Sequence, residues 1–140
     1  MDRPFCNAIV MDFIKCSYVF LLVISFLSCK SDGSITTQLI TTHEFEIISQ
    51  IQGIQLVDVR TPGEYEAGHI LNAINIDFSD PSFELNIQKL DKKSPVIVYC
   101  QRGGRSAKSA VKLRSNSFVK VYDLEGGFSK WVSNESSKNK

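Results

Sequence analysis

Blocks of apolar residues alternate with mixed polar and apolar blocks along this chain. This pattern predicts strands that alternate with helices. Runs rich in β-branched residues, which are typical of strands, lie at residues 35–40, 55–59, 73–76, 96–99 and 118–124. The segments between them carry apolar residues at helical spacing. Strands that alternate with helices predict an α/β fold, with a largely parallel sheet and helices on both of its faces.

Two of the predicted helices begin with a capping box, in which an N-cap threonine and a glutamate three positions later each bond the other's backbone. Thr41 with Glu44 starts one helix, and Thr61 with Glu64 starts another. Arg60 directly precedes the second box, and we expect its side chain to pair with Glu64. This interpretation gives Arg60 and Glu64 an architectural role.

The N-terminal part of the chain has the pattern of an export signal. An uninterrupted apolar run at residues 18–27 follows Lys15 and precedes polar residues. The run is short for a spanning helix of about 20 residues but suits the apolar core of a signal peptide. Met11 is an alternative start, because from it the chain begins as a compact signal with a basic residue before the apolar core.

The end of this apolar run resembles a bacterial lipoprotein signal, in which cleavage precedes a cysteine that is then lipidated. The resemblance implies that residues 1–28 are a signal peptide. It also implies that residues 29–34 consist of a lipidated Cys29 followed by a polar tether. An uncleaved membrane anchor is the alternative. Both place the protein in the cell envelope, periplasmic or surface-facing. We expect the domain at residues 35–133 and a disordered tail at residues 134–140, which are polar throughout.

Length, charge and cysteine content narrow the function further. A chain of 140 residues holds one small domain, and a net charge of +1 gives no reason to expect a nucleic-acid partner. Three of the four cysteines, Cys6, Cys16 and Cys29, belong to the N-terminal segment. The domain keeps only Cys100, which therefore cannot form a disulfide within it.

Cys100 lies at a predicted strand-to-helix turn, where a thiol can be made reactive. Gly103 and Gly104 allow the backbone to curl, so that successive N–H groups and the positive end of the next helix converge. Such a cradle favours the thiolate and lowers the pKa of the thiol from its ordinary value of about 8.5. Arg102 and Arg105 add positive charge to the same turn.

The segment Cys100-Gln101-Arg102-Gly103-Gly104-Arg105 resembles the active-site loop of the rhodanese family, in which a cysteine opens a six-residue loop and carries sulfur as a persulfide. The resemblance extends to residues 56–65, 68–70, 73–76 and 124–128 and to Trp131. It implies a rhodanese-like domain with a five-stranded sheet and no metal or cofactor. Where the family continues with Pro-Gly after Ile70, this chain has Leu71-Asn72, so we expect a different local turn there.

The resemblance also implies roles for individual residues. Cys100 is the expected catalytic residue. The substrate-binding loop consists of Gln101, Arg102, Gly103, Gly104 and Arg105. Asp58 and Arg60 are expected to support the site, because the carboxyl ends of parallel strands gather functional groups at one edge of a sheet.

The chemistry that follows is sulfur transfer by double displacement. The Cys100 thiolate attacks the outer sulfur of a donor such as thiosulfate, sulfite leaves, and a thiol or cyanide then removes the sulfur. Two arginines beside the thiol favour the doubly charged thiosulfate over 3-mercaptopyruvate. The alternative is that one arginine, in the first place Arg105, points away to solvent or pairs with a carboxylate such as Asp58, which leaves the preference weak.

Two other functional classes fit parts of this pattern. Cysteine phosphatases and arsenate reductases also combine a cysteine with an arginine around an anion-binding loop, but their loop is one residue longer than Cys100 to Arg105. The second class is non-enzymatic, with the domain as a membrane-tethered sulfur carrier or interaction module. Turnover with small donors distinguishes an enzyme from a carrier.

Overall fold

Five parallel strands form one sheet. The computed structural model describes residues 37–138. The strands are β1 (Thr37–Ile40), β2 (Gln55–Asp58), β3 (Ile74–Asn75), β4 (Val96–Tyr99) and β5 (Val121–Leu124). Their order across the sheet is β1-β5-β4-β2-β3. The helices are α1 (Thr42–Ile48), α2 (Pro62–Glu66), α3 (Phe83–Ile87), α4 (Gly104–Ser115) and α5 (Gly127–Lys138). The predicted α/β class is confirmed, and the sheet is parallel throughout.

The hydrophobic core lies on both faces of the sheet. One cluster packs strand residues against Phe83 of α3 and Leu113 of α4, and the other packs them against Phe45 of α1 and Phe128 of α5. All four residues of β4 are buried, because this central strand contributes alternate side chains to the two clusters. The helices therefore cover both faces, as the alternation of elements predicts.

The register of the sheet determines where the site lies. β2 pairs with β4 so that Asp58 is opposite Tyr99. The chain after β2 and the chain after β4 therefore leave the sheet side by side, and they bring Arg60 close to Cys100. The helix α4 begins at this same edge, directly after the Cys100 turn.

Both capping boxes form as the sequence predicts. The Thr41 and Thr61 hydroxyls accept hydrogen bonds from the backbone N–H groups of Glu44 and Glu64, and each glutamate accepts one from the backbone N–H of its threonine.

The chain also turns at Leu71-Asn72. Asn72 has φ 65°, in the left-handed region that asparagine tolerates better than most residues. The chain therefore turns at Leu71-Asn72 through an asparagine in the left-handed conformation.

The expected disordered tail is wrong for residues 134–138, which continue α5 to Lys138. Asn134 donates a hydrogen bond to the Thr42 hydroxyl of α1, and this contact ties the last turns of α5 to the domain. The predicted signal peptide, Cys29 and the tether lie outside the described residues. Among residues 37–138, no helix combines the length and the apolar character needed to span a membrane.

Candidate active site

Cys100 directly follows β4 and opens a tight loop. The side chain is 2% exposed, and its sulfur accepts a hydrogen bond of 3.1 Å from the backbone N–H of Gly103. Gly103 has φ 103°, a conformation that favours glycine, and Gly104 is the first residue of α4. We call residues 100–105 the Cys100 loop. Its curl directs N–H groups toward the sulfur, as the glycine pair predicts.

The surroundings of the sulfur lower the pKa of the Cys100 thiol. Burial by itself raises that pKa, because it disfavours the charged form. The backbone N–H groups of Ser106, Arg102 and Gly103, together with the Ser106 hydroxyl, outweigh burial by hydrogen bonding to the thiolate. The direction of the shift is the one that the sequence predicts, and backbone donors produce most of it.

The first residues of α5 hold the backbone carbonyl groups of the Cys100 loop in position. The backbone N–H of Phe128 donates to the Cys100 carbonyl at 2.8 Å, and that of Ser129 donates to the Gln101 carbonyl at 3.1 Å. Gly127, with φ 58°, lies so close that a Cβ atom there would be 2.2 Å from the Cys100 carbonyl oxygen. These contacts fix the loop carbonyls, while the loop N–H groups bond the sulfur.

Arg60 is a buried arginine that ties β2 to the Cys100 loop. It is 2% exposed, and its guanidinium binds the Asp58 carboxylate through Nε and Nη2, at 3.0 and 2.7 Å. The same guanidinium donates to the Gly68 carbonyl and to the Gln101 side-chain oxygen, and it lies 4.0 Å from the ring centre of Phe128. The predicted pairing of Arg60 with Glu64 is therefore wrong, because the inward-pointing Asp58 carboxylate holds the guanidinium.

Gln101 links this arginine to α5. Its side-chain oxygen accepts from Arg60 Nη1 at 3.0 Å, and its side-chain nitrogen donates to the Ser129 hydroxyl at 2.8 Å. Both ends of the amide are thus engaged within the protein. In this structure the Gln101 side chain holds the loop in place.

Arg105 forms a two-pronged ion pair with Glu64. Its Nη1 and Nη2 atoms lie 2.6 and 2.7 Å from the two carboxylate oxygens. The bond to Arg105 is the largest influence on Glu64 and lowers the pKa of its carboxyl to about 2. The alternative that Arg105 pairs with a carboxylate is therefore confirmed, but the carboxylate is that of Glu64 and not that of Asp58.

Arg102 is exposed, and its side chain has no ion pair within residues 37–138.

The Glu64 pair predicts a pH-dependent stability. Because the folded-state pKa of about 2 lies below the ordinary 4.5, ionised Glu64 stabilises the fold above pH 4.5, and this contribution is lost as pH falls through 2. Glu64→Gln should lower the free energy of unfolding at neutral pH by about 0.5–1 kcal/mol, and the difference from wild type should shrink in acid. Thermal unfolding across this range tests it.

Glu44→Gln is the matched control for this prediction. It alters the same type of capping box, but within residues 37–138 no arginine pairs with Glu44. A loss in Glu44→Gln as large as that in Glu64→Gln would mean that the caps, and not the pair with Arg105, carry the effect.

An open cleft of about 250 Å³ lies beside the loop. Its walls are formed by Arg60, Glu64, Ala67, Gly68, Gln101 and Phe128. A larger cavity of about 380 Å³ lies between α1 and the Leu71 turn and includes no residue of the Cys100 loop. Within the described part of the chain, no cluster of histidine, cysteine, aspartate and glutamate side chains can hold a metal ion.

Known proteins resemble this chain over the described domain. The family described as Rhodanese-like domain matches residues 41–134. The uncharacterized protein YqhL of Bacillus subtilis (strain 168) is 44% identical over 91 residues, which cover 65% of this chain and 71% of that protein. Thiosulfate sulfurtransferase GlpE of Pseudomonas fluorescens (strain SBW25) is 40% identical over 80 residues, covering 57% of this chain and 72% of GlpE.

Solved structures share the same fold. A rhodanese-related protein from Thermoplasma volcanium superposes with a TM-score of 0.58 at 30% identity, covering 69% of this chain and 92% of that one. A rhodanese-like domain protein from Staphylococcus aureus gives a TM-score of 0.61 at 31% identity, covering 68% and 91%. A five-stranded parallel sheet, a cysteine loop after its central strand and a match over residues 41–134 place this chain in the rhodanese-like domain family.

Proposed function

We propose that this protein is a sulfurtransferase that carries sulfane sulfur as a persulfide on Cys100. The observation that supports it most is the buried Cys100 sulfur, which accepts a hydrogen bond from the Gly103 backbone N–H and whose thiol pKa the backbone N–H groups around it lower. Relatives named thiosulfate sulfurtransferase support the same reaction class.

In the first step the Cys100 thiolate attacks the outer sulfur of thiosulfate. A bond forms between the two sulfur atoms, the original sulfur–sulfur bond of the donor breaks, and its electron pair leaves with sulfite. The loop N–H groups stabilise the negative charge of the persulfide, as they stabilise the thiolate. A thiol or cyanide then attacks the terminal sulfur, and Cys100 leaves as the thiolate.

The cleft beside the loop gives an acceptor room to approach. Its two charged side chains are both paired, Arg60 with Asp58 and Glu64 with Arg105. A paired charge attracts a ligand less than a free one, so the cleft does not select strongly for an acidic or a basic acceptor. We propose a small thiol as the acceptor.

Sulfur transfer from thiosulfate to cyanide by the purified full chain tests the proposal, with Cys100→Ser as the matched variant. We expect turnover by wild type, none by Cys100→Ser, and one added sulfur atom on the Cys100 peptide by mass spectrometry after thiosulfate treatment. Equal rates in the two proteins contradict the proposal. A persulfide that forms without turnover would instead identify a tethered sulfur carrier.

Donor preference depends on Arg102, since Arg105 is already paired with Glu64. We propose thiosulfate as the preferred donor, and we expect Arg102→Ala to raise the apparent KM for thiosulfate about tenfold, through loss of one charged contact. The change for 3-mercaptopyruvate, which has a single carboxylate, should be smaller. Steady-state kinetics with both donors measure this.

Lys108→Ala is the control, because Lys108 is an exposed cation on α4 outside the loop. An equal rise in KM for Lys108→Ala would show that general surface charge attracts the donor. A wild-type preference for 3-mercaptopyruvate would overturn the charge argument.

We also propose that lipidated Cys29 anchors the domain in a bacterial cell envelope. The support is the apolar run that ends in Leu27-Ser28-Cys29. Metabolic labelling with a palmitate analogue should mark wild type and not Cys29→Ala. Equal labelling of both would exclude this anchor.

A further inference from the structure

A buried carboxyl group lies on the same side of the sheet as Cys100. Asp123 of β5 is 4% exposed, and its buried Oδ1 atom has no hydrogen-bond partner within residues 37–138. The register pairs Asp123 with Val98 of β4, two residues before Cys100. Because side chains alternate along a strand, and because Val121, Val98 and Cys100 belong to one core cluster, Asp123 points to the face that bears the thiol.

Ser106 affects both groups. It is fully buried in the first turn of α4, and its hydroxyl acts to lower both the pKa of the Cys100 thiol and the pKa of the Asp123 carboxyl. In this structure the same hydroxyl donates a hydrogen bond of 3.0 Å to the Gly103 carbonyl oxygen. A hydroxyl has a single hydrogen to donate, so these acceptors compete for it.

Within residues 37–138, burial and the Ser106 hydroxyl are the influences on the pKa of Asp123, and no other ionisable side chain contributes. β1 has none, β4 contributes Tyr99 to the opposite core cluster, and the face of α4 toward the sheet consists of Ser106, Ser109, Ala110 and Leu113. The cations of α4 are directed elsewhere. Arg105 binds Glu64, Lys112 binds Glu84, Lys108 is exposed, and Arg114 lies about two turns further along the helix.

We propose that Asp123 is a positioning residue for Cys100, and that the ionisation of its carboxyl controls, through the Ser106 hydroxyl, how strongly the loop stabilises the thiolate. When protonated, Asp123 donates to the Ser106 oxygen, and the hydroxyl hydrogen stays available to the sulfur. When ionised, the carboxylate accepts that hydrogen and withdraws it from the sulfur. Burial, which raises the pKa of Asp123, brings its ionisation closer to that of the thiol.

The pH dependence of Cys100 alkylation by iodoacetamide tests this proposal on the full chain. Mass spectrometry of the Cys100 peptide separates this thiol from Cys6, Cys16 and Cys29. Wild type should show two steps, one for each group. Asp123→Asn keeps a donor but cannot ionise, so it should show one step. It should react about tenfold faster at pH values where wild-type Asp123 is ionised and the thiol is still mostly protonated, as one unit in the thiol pKa implies.

Ser106→Ala removes the link, so in that background Asp123→Asn should change the rate no more than about twofold. Ser109→Ala removes another buried hydroxyl from the same helix face and should retain the wild-type profile. Superimposable pH profiles of wild type and Asp123→Asn overturn the proposal. It is also overturned if Asp123→Asn changes the alkylation rate as much in the Ser106→Ala background as it does in wild type. If Asp123→Asn does not fold, wild type and Ser106→Ala are compared instead. A two-step pH profile of alkylation in wild type together with a one-step profile in Ser106→Ala supports the proposal, and any other combination of the two profiles overturns it.

The proposal rests on Cys100 being the reactive thiol of the proposed sulfur transfer. Alkylation requires no sulfur donor or acceptor, so the two can fail separately. A two-step alkylation profile in a protein without turnover would retain the role of Asp123 and reject the enzyme.

Discussion

Arg60→Met should lower the free energy of unfolding by about 3–5 kcal/mol, because it leaves the Asp58 carboxylate buried without its counter-charge. Asp58 is 0% exposed, and the Arg60 guanidinium provides its charged partner. Methionine fills much of the same space, so the loss reports the missing charge and hydrogen bonds more than a cavity. Urea unfolding measures the change.

Arg105→Met is the matched control for this variant. Its ion pair with Glu64 has equally short contacts, but the two side chains are 29% and 32% exposed, so removal of the arginine should cost only about 1 kcal/mol. Adding Asp58→Asn to Arg60→Met should recover part of the loss, because no buried charge then remains. An Arg60→Met protein as stable as Arg105→Met would contradict the structural role given to the buried pair.

Gly127→Ala should reduce sulfur transfer on the order of a hundredfold, because the start of α5 and the Cys100 loop cannot both keep their positions. The new Cβ atom would lie 2.2 Å from the Cys100 carbonyl oxygen and 3.1 Å from the Arg102 nitrogen. Both are backbone atoms, so relief requires displacement of the loop that binds the sulfur. Turnover and the thiol pKa should therefore change together.

Gly126→Ala is the control that distinguishes steric overlap with the Cys100 loop from the strain of a positive φ. Gly126 also has a positive φ, 71°, but a Cβ atom there would lie 2.7 Å from the Cβ and Cδ atoms of Lys130 and so would meet α5 instead of the Cys100 loop. The left-handed conformation should cost Gly126→Ala about 1–3 kcal/mol of stability and leave the turnover of the folded protein near wild type. Equal losses of turnover in the two variants would mean that strain, and not contact with the loop, impairs the site.

Local sequence signals predicted the elements that depend on neighbouring residues. The capping boxes at Thr41 and Thr61 form because all their partners lie within three positions along the chain. Glu64 shows the limit of this reasoning. Its box is correct, but its charge partner is Arg105, 41 positions away, which only the packing of α4 brings near.

The positions of the supporting side chains depended even more on tertiary structure. Gln101 reads as an ordinary loop residue, yet Arg60 and Ser129 hold its two ends from different elements. Asp123 lies in a run that reads only as a strand, and its depth follows from the central position of β5 beside β4. The helix through Asn134 was missed because its contact with Thr42 spans 92 positions.

Within residues 37–138, the first strand of the sheet pairs only with β5, the last strand. Thr37 of β1 is opposite Val121 of β5, and β1 lies at the edge of the sheet. Pairing over such a long separation closes a large loop and is slow compared with local contacts. During synthesis, β1 leaves the ribosome well before β5 exists. The growing chain thus exposes an unpaired strand until β5 has been synthesised, an interval in which chaperones can bind it.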